Sequence, residues 1–168
     1  KVVAGRSIPK TLTSSNFVGR AMRKRLGQKL FDINLAQMSP EGLNFGYYYE
    51  GSPIIVSYGE QAPAYDMGGH VPSTVPGCRV PHFTINGTTL LDHLGPDYTL
   101  IRFDPAIDVS AIATSGLPLV VVDAERPEQA AFKHRLLIVR SDTHVVWRGD
   151  ALPADTTSLV NQLRGKEN

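Results

Sequence analysis

The chain has 168 residues and a single cysteine, Cys78, and that scarcity removes several chemistries at once. A lone thiol cannot close an internal disulfide, supply a CxxC redox pair or build a cysteine zinc site. No GxGxxG and no GxxxxGK[ST] occurs, so there is no glycine-rich loop to cradle a phosphate. The histidines at 70, 82, 93, 134 and 144 never take HxH, HxxxH or HExxH spacing, and no GxSxG elbow strains a serine into reach. Catalytic, cofactor-binding and metal residues are therefore not expected in this segment. No apolar run approaches the length of a membrane span, and the basic start at Lys1 leads into no signal-peptide core. Membrane and secretion are set aside on this ground, and a cytoplasmic protein is expected. The chain also opens without an initiator Met, so a fragment of a longer protein is the simple reading.

Acid is missing from the first 31 residues, which carry eight Lys/Arg, while the remainder holds nine against sixteen Asp/Glu; a balance of +8 is followed by one of −7. Such a split fits a basic arm for nucleic acid or an anionic surface, or the solvated face of a helix. From Asn16, a plausible N-cap, Val18, Met22, Leu26, Leu30 and Ile33 recur at helical spacing to about Gln37, with Arg20, Arg23, Lys24 and Arg25 mostly off that stripe. No aromatics are interleaved for base stacking, which weighs against nucleic acid. Phe17 and Phe31 are expected in a core. Residues 42–58 read as two short strands broken near Gly51-Ser52-Pro53, with alternate tyrosines of the Tyr47-Tyr48-Tyr49 run packing on a sheet. Residues 59–81, rich in Pro and Gly, read as a long irregular connection.

After Pro81 the pattern becomes regular. A strand at His82–Ile85, a turn at Asn86-Gly87, a Leu90-Leu91 helix, a strand Tyr98–Phe103, a helix Pro105–Ala113, a strand Leu117–Val122 buried on both faces and a helix Pro127–Phe132 are expected in turn. Leu136–Val139 and Val145–Trp147, separated by Ser141-Asp142-Thr143, form a hairpin, and a helix from Pro153 to Gly165 closes the chain. The order β-α-β-α-β-α-β-β-α, with two parallel crossovers and a terminal antiparallel hairpin, describes an α/β, thioredoxin-like domain with a mixed sheet and an N-terminal helical and extended arm. The domain limits read as 1–41 for the linker and basic helix, 42–81 for the extended arm and Pro/Gly-rich connection, and 82–168 for the thioredoxin-like domain.

Four stretches carry a family resemblance: Gly46-Tyr47-Tyr48-Tyr49 with Ser52-Pro53, the clamp Pro76-Gly77-Cys78-Arg79-Val80-Pro81-His82, Leu91-Asp92 with Gly95 before Tyr98-Thr99-Leu100, and Val139-Arg140-Ser141-Asp142 through Val145-Val146-Trp147-Arg148. From about Leu43 to Arg164 the chain resembles the C-terminal region of class A FAD-dependent aromatic-ring hydroxylases, of the phenol and polyketide hydroxylase type. The resemblance implies a thioredoxin-like domain that packs on the flavin and substrate domains of its parent and assists dimer contacts, so a homodimer is a further expectation. It implies FAD and NADH or NADPH for the parent, and none of them for this segment. Redox chemistry departs from the thioredoxin pattern: Phe103-Asp104-Pro105-Ala106-Ile107-Asp108 stands where a CxxC would be, and Lys133-His134-Arg135 where a cis-proline would be.

The positions expected to matter are structural or docking ones: Pro76, Gly77, Arg79, Pro81, His82, Asp92, Gly95, Arg140, Asp142, Trp147 and Arg148. Arg79 is the strongly cationic group of the connection, able to grip a carboxylate. Two rival functions remain open at this point. A one-cysteine thiol or peroxide enzyme requires Cys78 exposed with a lowered pKa, and a nucleic-acid or anionic-surface module requires affinity through the first 31 residues that falls steeply with salt. With no partner for Cys78, the purified chain should turn over insulin disulfides no faster than its Cys78→Ser variant. Turnover above that control would give the thiol a redox role.

Overall fold

The structure is a computed structural model that describes residues 10–38 and 40–166. Its contacts divide the chain into two compact units, one ending at Pro40 and the other beginning at Glu41.

In the first unit a short helix α1, Lys10–Thr13, precedes the long helix α2, Phe17–Met38. Asn16 caps α2 as its side chain suggests: Oδ1 accepts the Gly19 N–H at 2.8 Å and the carbonyl accepts that of Arg20 at 3.1 Å. The apolar stripe is present but uncovered, with Val18, Met22, Leu26, Leu30 and Ile33 between 39% and 55% exposed. The core placement of Phe17 and Phe31 is corrected, since they are 76% and 60% exposed. One long helix beside one short turn of helix has no second layer in which to bury rings.

The second unit opens with α3, Glu41–Phe45, and then runs to residue 83 without a regular strand. The two strands expected within 42–58 are absent; only an isolated bridge pairs Tyr48 with Cys78, because the arm lies against loop and sheet edge rather than against itself. Next come β1, Thr84–Ile85, and β2, Thr88–Thr89, joined by Asn86 and Gly87 at φ 51° and 83°. Two successive positive φ values are what a two-residue primed turn requires, and Asn-Gly supplies them with least strain. A 3-10 turn, Leu90–His93, follows.

The main sheet has four strands in the order β4-β3-β5-β6, with β3 Tyr98–Arg102, β4 Leu119–Asp123, β5 Leu136–Arg140 and β6 Val145–Gly149. Strands β3 and β4 are parallel, β5 is antiparallel to both β3 and β6, and the chain is α/β with a mixed sheet. Three expectations change in detail. The His82–Ile85 strand shortens to β1 and pairs only with β2, leaving one parallel crossover instead of two. The helix at Pro105–Ala113 contracts to α4, Ser110–Ala113, and residues 127–132 form turns, not a helix. Strand β4 is not buried on both faces: it lies at the sheet edge, with Val120 43% exposed.

Alternation along the central strands builds two apolar layers. Leu100, Leu136 and Ile138 face α4 and the closing helix α5, Thr156–Leu163. Ile101, Leu137 and Val139 face Phe83, Ile85, Leu90 and Phe132, three of whose neighbouring rings, Phe83, Phe103 and Phe132, stack edge-on or tilted at 5.1 to 6.0 Å. Helix α5 begins three residues after Pro153; Asp155 caps it by accepting the Ser158 N–H at 2.9 Å, and Gly165 leaves it at φ 70°. Trp147 is 2% exposed in the cluster with Leu159 and Leu163, and its Nε1 donates to the Tyr58 hydroxyl at 3.3 Å. Trp147→Ala should cost about 3 to 5 kcal/mol by chemical denaturation. Melting like the parent chain would show that the ring is not the keystone of that layer.

Candidate functional site

The candidate site is the seam where residues 42–81 meet the outer edge of β6. It starts from an irregularity in the hairpin. Val139 pairs with Val145 and Ile138 with Trp147, so Val146 is an extra residue in β6. A bulge of this kind turns one peptide away from the ladder and bends its strand. Consecutive Val146 and Trp147 accordingly pack in the same apolar layer, and the Val146 carbonyl points outward, where it accepts the Val56 N–H at 2.8 Å.

Val145 holds the rest of the arm. Its carbonyl accepts the Gly77 N–H at 2.7 Å and its N–H donates to the Cys78 carbonyl at 2.9 Å; Val80 N–H donates to the Thr143 carbonyl at 2.9 Å. Gly77 in turn accepts the Tyr49 N–H at 2.9 Å. Gly77 sits at φ 97°, and a Cβ there would lie 2.5 Å from the Tyr49 carbonyl oxygen, so the position admits only glycine without a backbone shift. Pro76 and Pro81 are buried on either side of this pairing. The segment therefore occupies hydrogen-bonding positions that an edge strand would otherwise offer to another chain.

Side chains reinforce the seam at two points. Arg148, with only 9% of its side chain exposed, pairs with both carboxylate oxygens of Glu60 and donates to Thr74 Oγ1 at 2.8 Å. Thr74 is fully buried and its hydroxyl donates to the Ala131 carbonyl at 2.6 Å, which links the arm to the turns before β5. At the hairpin tip Asp142 accepts from Tyr49 Oη at 3.3 Å, pairs with Arg140 at 3.3 Å and lies 3.4 Å from His144 Nδ1. The Asp142 charge, with burial added, raises the Tyr49 phenol above its ordinary pKa. The Arg140 guanidinium lies 5.5 Å from the Tyr49 ring centroid, and Tyr49 meets the His144 ring edge-on at 4.7 Å.

Of the remaining expected positions Asp92, Gly95 and His82 lie off this seam, whereas Arg79 is part of its backbone pairing. Asp92 closes the 3-10 turn, its carboxylate accepting from the Thr89 N–H at 3.0 Å and hydroxyl at 3.1 Å. Gly95 is buried, donates to Thr99 Oγ1 at 2.8 Å and lies where a Cβ would press on Val120. His82 is exposed, with its carbonyl accepting from Gln129 Nε2 at 3.2 Å. Arg79 is half-buried, bridges to His144 through its backbone, and places its guanidinium 5.5 Å from the Phe45 ring centroid. Sequence reasoning missed Tyr58, Glu60 and Thr74, whose partners lie 74 to 89 residues away. No local spacing signals such pairs.

Cys78 is buried, and burial pushes its thiol above the ordinary value, which removes the condition the one-cysteine enzyme requires. Among the described residues no group of three or more His, Cys, Asp or Glu is placed to hold a metal.

No protein-family model matches the chain. It is similar to the FAD-dependent monooxygenase opdD of Penicillium oxalicum, 28% identical over 154 residues that make up 83% of this chain and 28% of that protein. It is similar also to phenol 2-monooxygenase of a Pseudomonas species, 26% identical over 86% of this chain and 27% of that protein. Among solved structures, RebC-10x in its native and K252c-bound form superposes with a TM-score of 0.78 at 32% identity, covering 96% of this chain and 32% of that one. A ternary complex of aklavinone-11 hydroxylase with FAD and aklavinone superposes with a TM-score of 0.52 at 26% identity over 70% of this chain. The relatives are FAD-dependent monooxygenases, as the four stretches implied, and the chain spans less than a third of their length.

The seam itself makes a prediction. Arg148→Ala leaves Glu60 and Thr74 without their donor in a partly dry setting and should lower stability by about 1 to 3 kcal/mol. Hydrogen exchange should show lost protection at the Val56 and Gly77 amides before β5. Uniform loss across the sheet would mean that the arm and the hairpin are not separable.

Proposed function

We propose that the chain is the redox-inactive, thioredoxin-like C-terminal part of an FAD-dependent aromatic-ring monooxygenase, and that its work is docking. Its partners would be the flavin and substrate domains of the parent chain, with a homodimer contact in addition. The parent would take FAD and NADH or NADPH and act in the cytoplasm. Within this reading residues 82–168 are the thioredoxin-like domain and 42–81 its arm.

The observation that carries the proposal is α2. Phe17, Val18, Leu30, Phe31, Leu35 and Met38 are between 49% and 84% exposed on one 22-residue helix. Apolar surface on that scale, spread over more than one side of the helix, marks an element made to be covered. The family of the relatives supports the identity of the cover, since most of each matched protein lies outside the region shared with this chain. The thioredoxin-like assignment rests on the β3-α4-β4 crossover, the β5-β6 hairpin and the closing α5. Among the described residues no glycine-rich turn leads from a strand into a helix, and the long helix α2 starts from Asn16-Phe17-Val18, which supports reading FAD as held by other parts of the parent. No helix among the described residues is long and apolar enough to cross a membrane.

The basic module is disfavoured by the same helix. Arg20 donates to the Ser15 carbonyl at 2.9 Å, and Arg23 to those of Leu12 and Ser14 at 2.7 and 2.8 Å, so two of its guanidinium groups already have backbone acceptors.

Hydrogen exchange compares the two states directly. Residues 17–38 should exchange at least tenfold more slowly in the intact monooxygenase than in the 168-residue chain, and Leu30→Glu in the intact protein should remove that protection. Equal rates in both proteins would overturn docking through α2.

A further inference from the structure

A groove of about 320 Å³ opens in the second unit, walled by Phe45, Pro72 and Leu91 and carrying Arg79, His70 and His82. Its volume lies at the lower end of small-molecule sites, and apolar walls with a few polar groups are the ordinary make-up of such sites. The charge of the groove is out of keeping with its surroundings. From Glu41 onward the chain carries fifteen Asp and Glu against nine Lys and Arg, yet no carboxylate lines the groove.

Two polar groups there lack partners of their own. Arg102, Arg135, Arg140 and Arg148 each have a carboxylate oxygen within 4.0 Å, whereas Arg79 has none among the described residues and rests only against the Phe45 ring. His70 packs on the same ring at 6.0 Å, and its Nδ1 is buried with no hydrogen-bond partner among the described residues. A buried polar atom without a partner is costly, and a ligand oxygen would relieve it.

We propose that this groove binds a small apolar ligand bearing one carboxylate, with Arg79 taking the carboxylate and Phe45, Pro72 and Leu91 enclosing the apolar body. A guanidinium grips a carboxylate through two parallel hydrogen bonds, and the flat Phe45 face beneath it fixes the direction of the fork. Histidine at 70 and 82 adds donors on the same rim. None of the lining residues belongs to α2, so the site stands whether or not the chain docks through α2, while Val80 and Thr143 tie its wall to the seam.

The test is an NMR titration of the ¹⁵N-labelled 168-residue chain with 2-naphthoate and, in parallel, with its neutral counterpart 2-naphthamide. The carboxylate should shift the amides of Phe45, His70, Arg79 and Leu91 in a saturable way, and the amide should bind at least about tenfold more weakly, the loss of one charge-assisted contact. Arg79→Gln should reduce naphthoate to the level of naphthamide, and Leu91→Glu, which sets a carboxylate on an exposed wall, should weaken naphthoate about tenfold or more without a comparable loss for naphthamide. Arg126→Gln, outside the groove, should leave both unchanged. Equal binding of the two probes to the unmodified chain, shifts that map elsewhere, or no saturable shift up to about 10 mM would overturn the proposal.

Discussion

The one extra residue in β6 governs the second unit. A regular β5-β6 ladder would present the outer edge of β6 with alternating pairs of donors and acceptors, every second residue facing inward. The bulge at Val146 breaks that rhythm, so that neighbouring residues Val145 and Val146 both offer main-chain groups outward. Val145 then takes the clamp at Gly77 and Cys78, and Val146 takes Val56. Two parts of a long irregular arm are thereby fixed within one peptide of each other. The side-chain links at Arg148 and Asp142 add to a geometry that the backbone has already set.

Partial burial explains why those links hold. Arg148 is nearly enclosed while Glu60 remains about a third exposed, so the pair avoids the full desolvation cost of an ion pair in a dry core. Asp142 distributes one charge over a guanidinium, a phenol and an imidazole at the surface of the hairpin tip. The buried Cys78 thiol beside them is pushed up, away from its nucleophilic form.

Legibility in the sequence followed the range of the interactions. The Asn16 cap, the Asn86-Gly87 turn, the hairpin, the closing helix and the burial of Trp147 rest on near neighbours or on strong apolar periodicity, and all were readable. Elements of marginal length were overread. Residues 127–132 hold too few turns to nucleate a helix without packing, and Leu117–Val122 looked buried on both faces because its apolar run does not reveal that β4 is an edge. Phe17 and Phe31 were misplaced because an apolar residue records the need for a cover and not its presence. The clamp was located by its prolines and Gly77, but its partner, the outer edge of β6, depends on a bulge that no local pattern announces.

The distance along the chain between the arm and β6 has a consequence for how the protein is made. Tyr58, Thr74 and Gly77 leave the ribosome well before Trp147, Arg148 and Val145, to which they bond across 68 to 89 residues. Through that interval the arm lacks the edge of β6 and has only its own contacts, such as that of Tyr49 with Gly77. Long-range closure of this sort is slow compared with local turns. The arm is thus among the first parts of the second unit to be synthesised, yet it reaches its final place only once β6 has emerged.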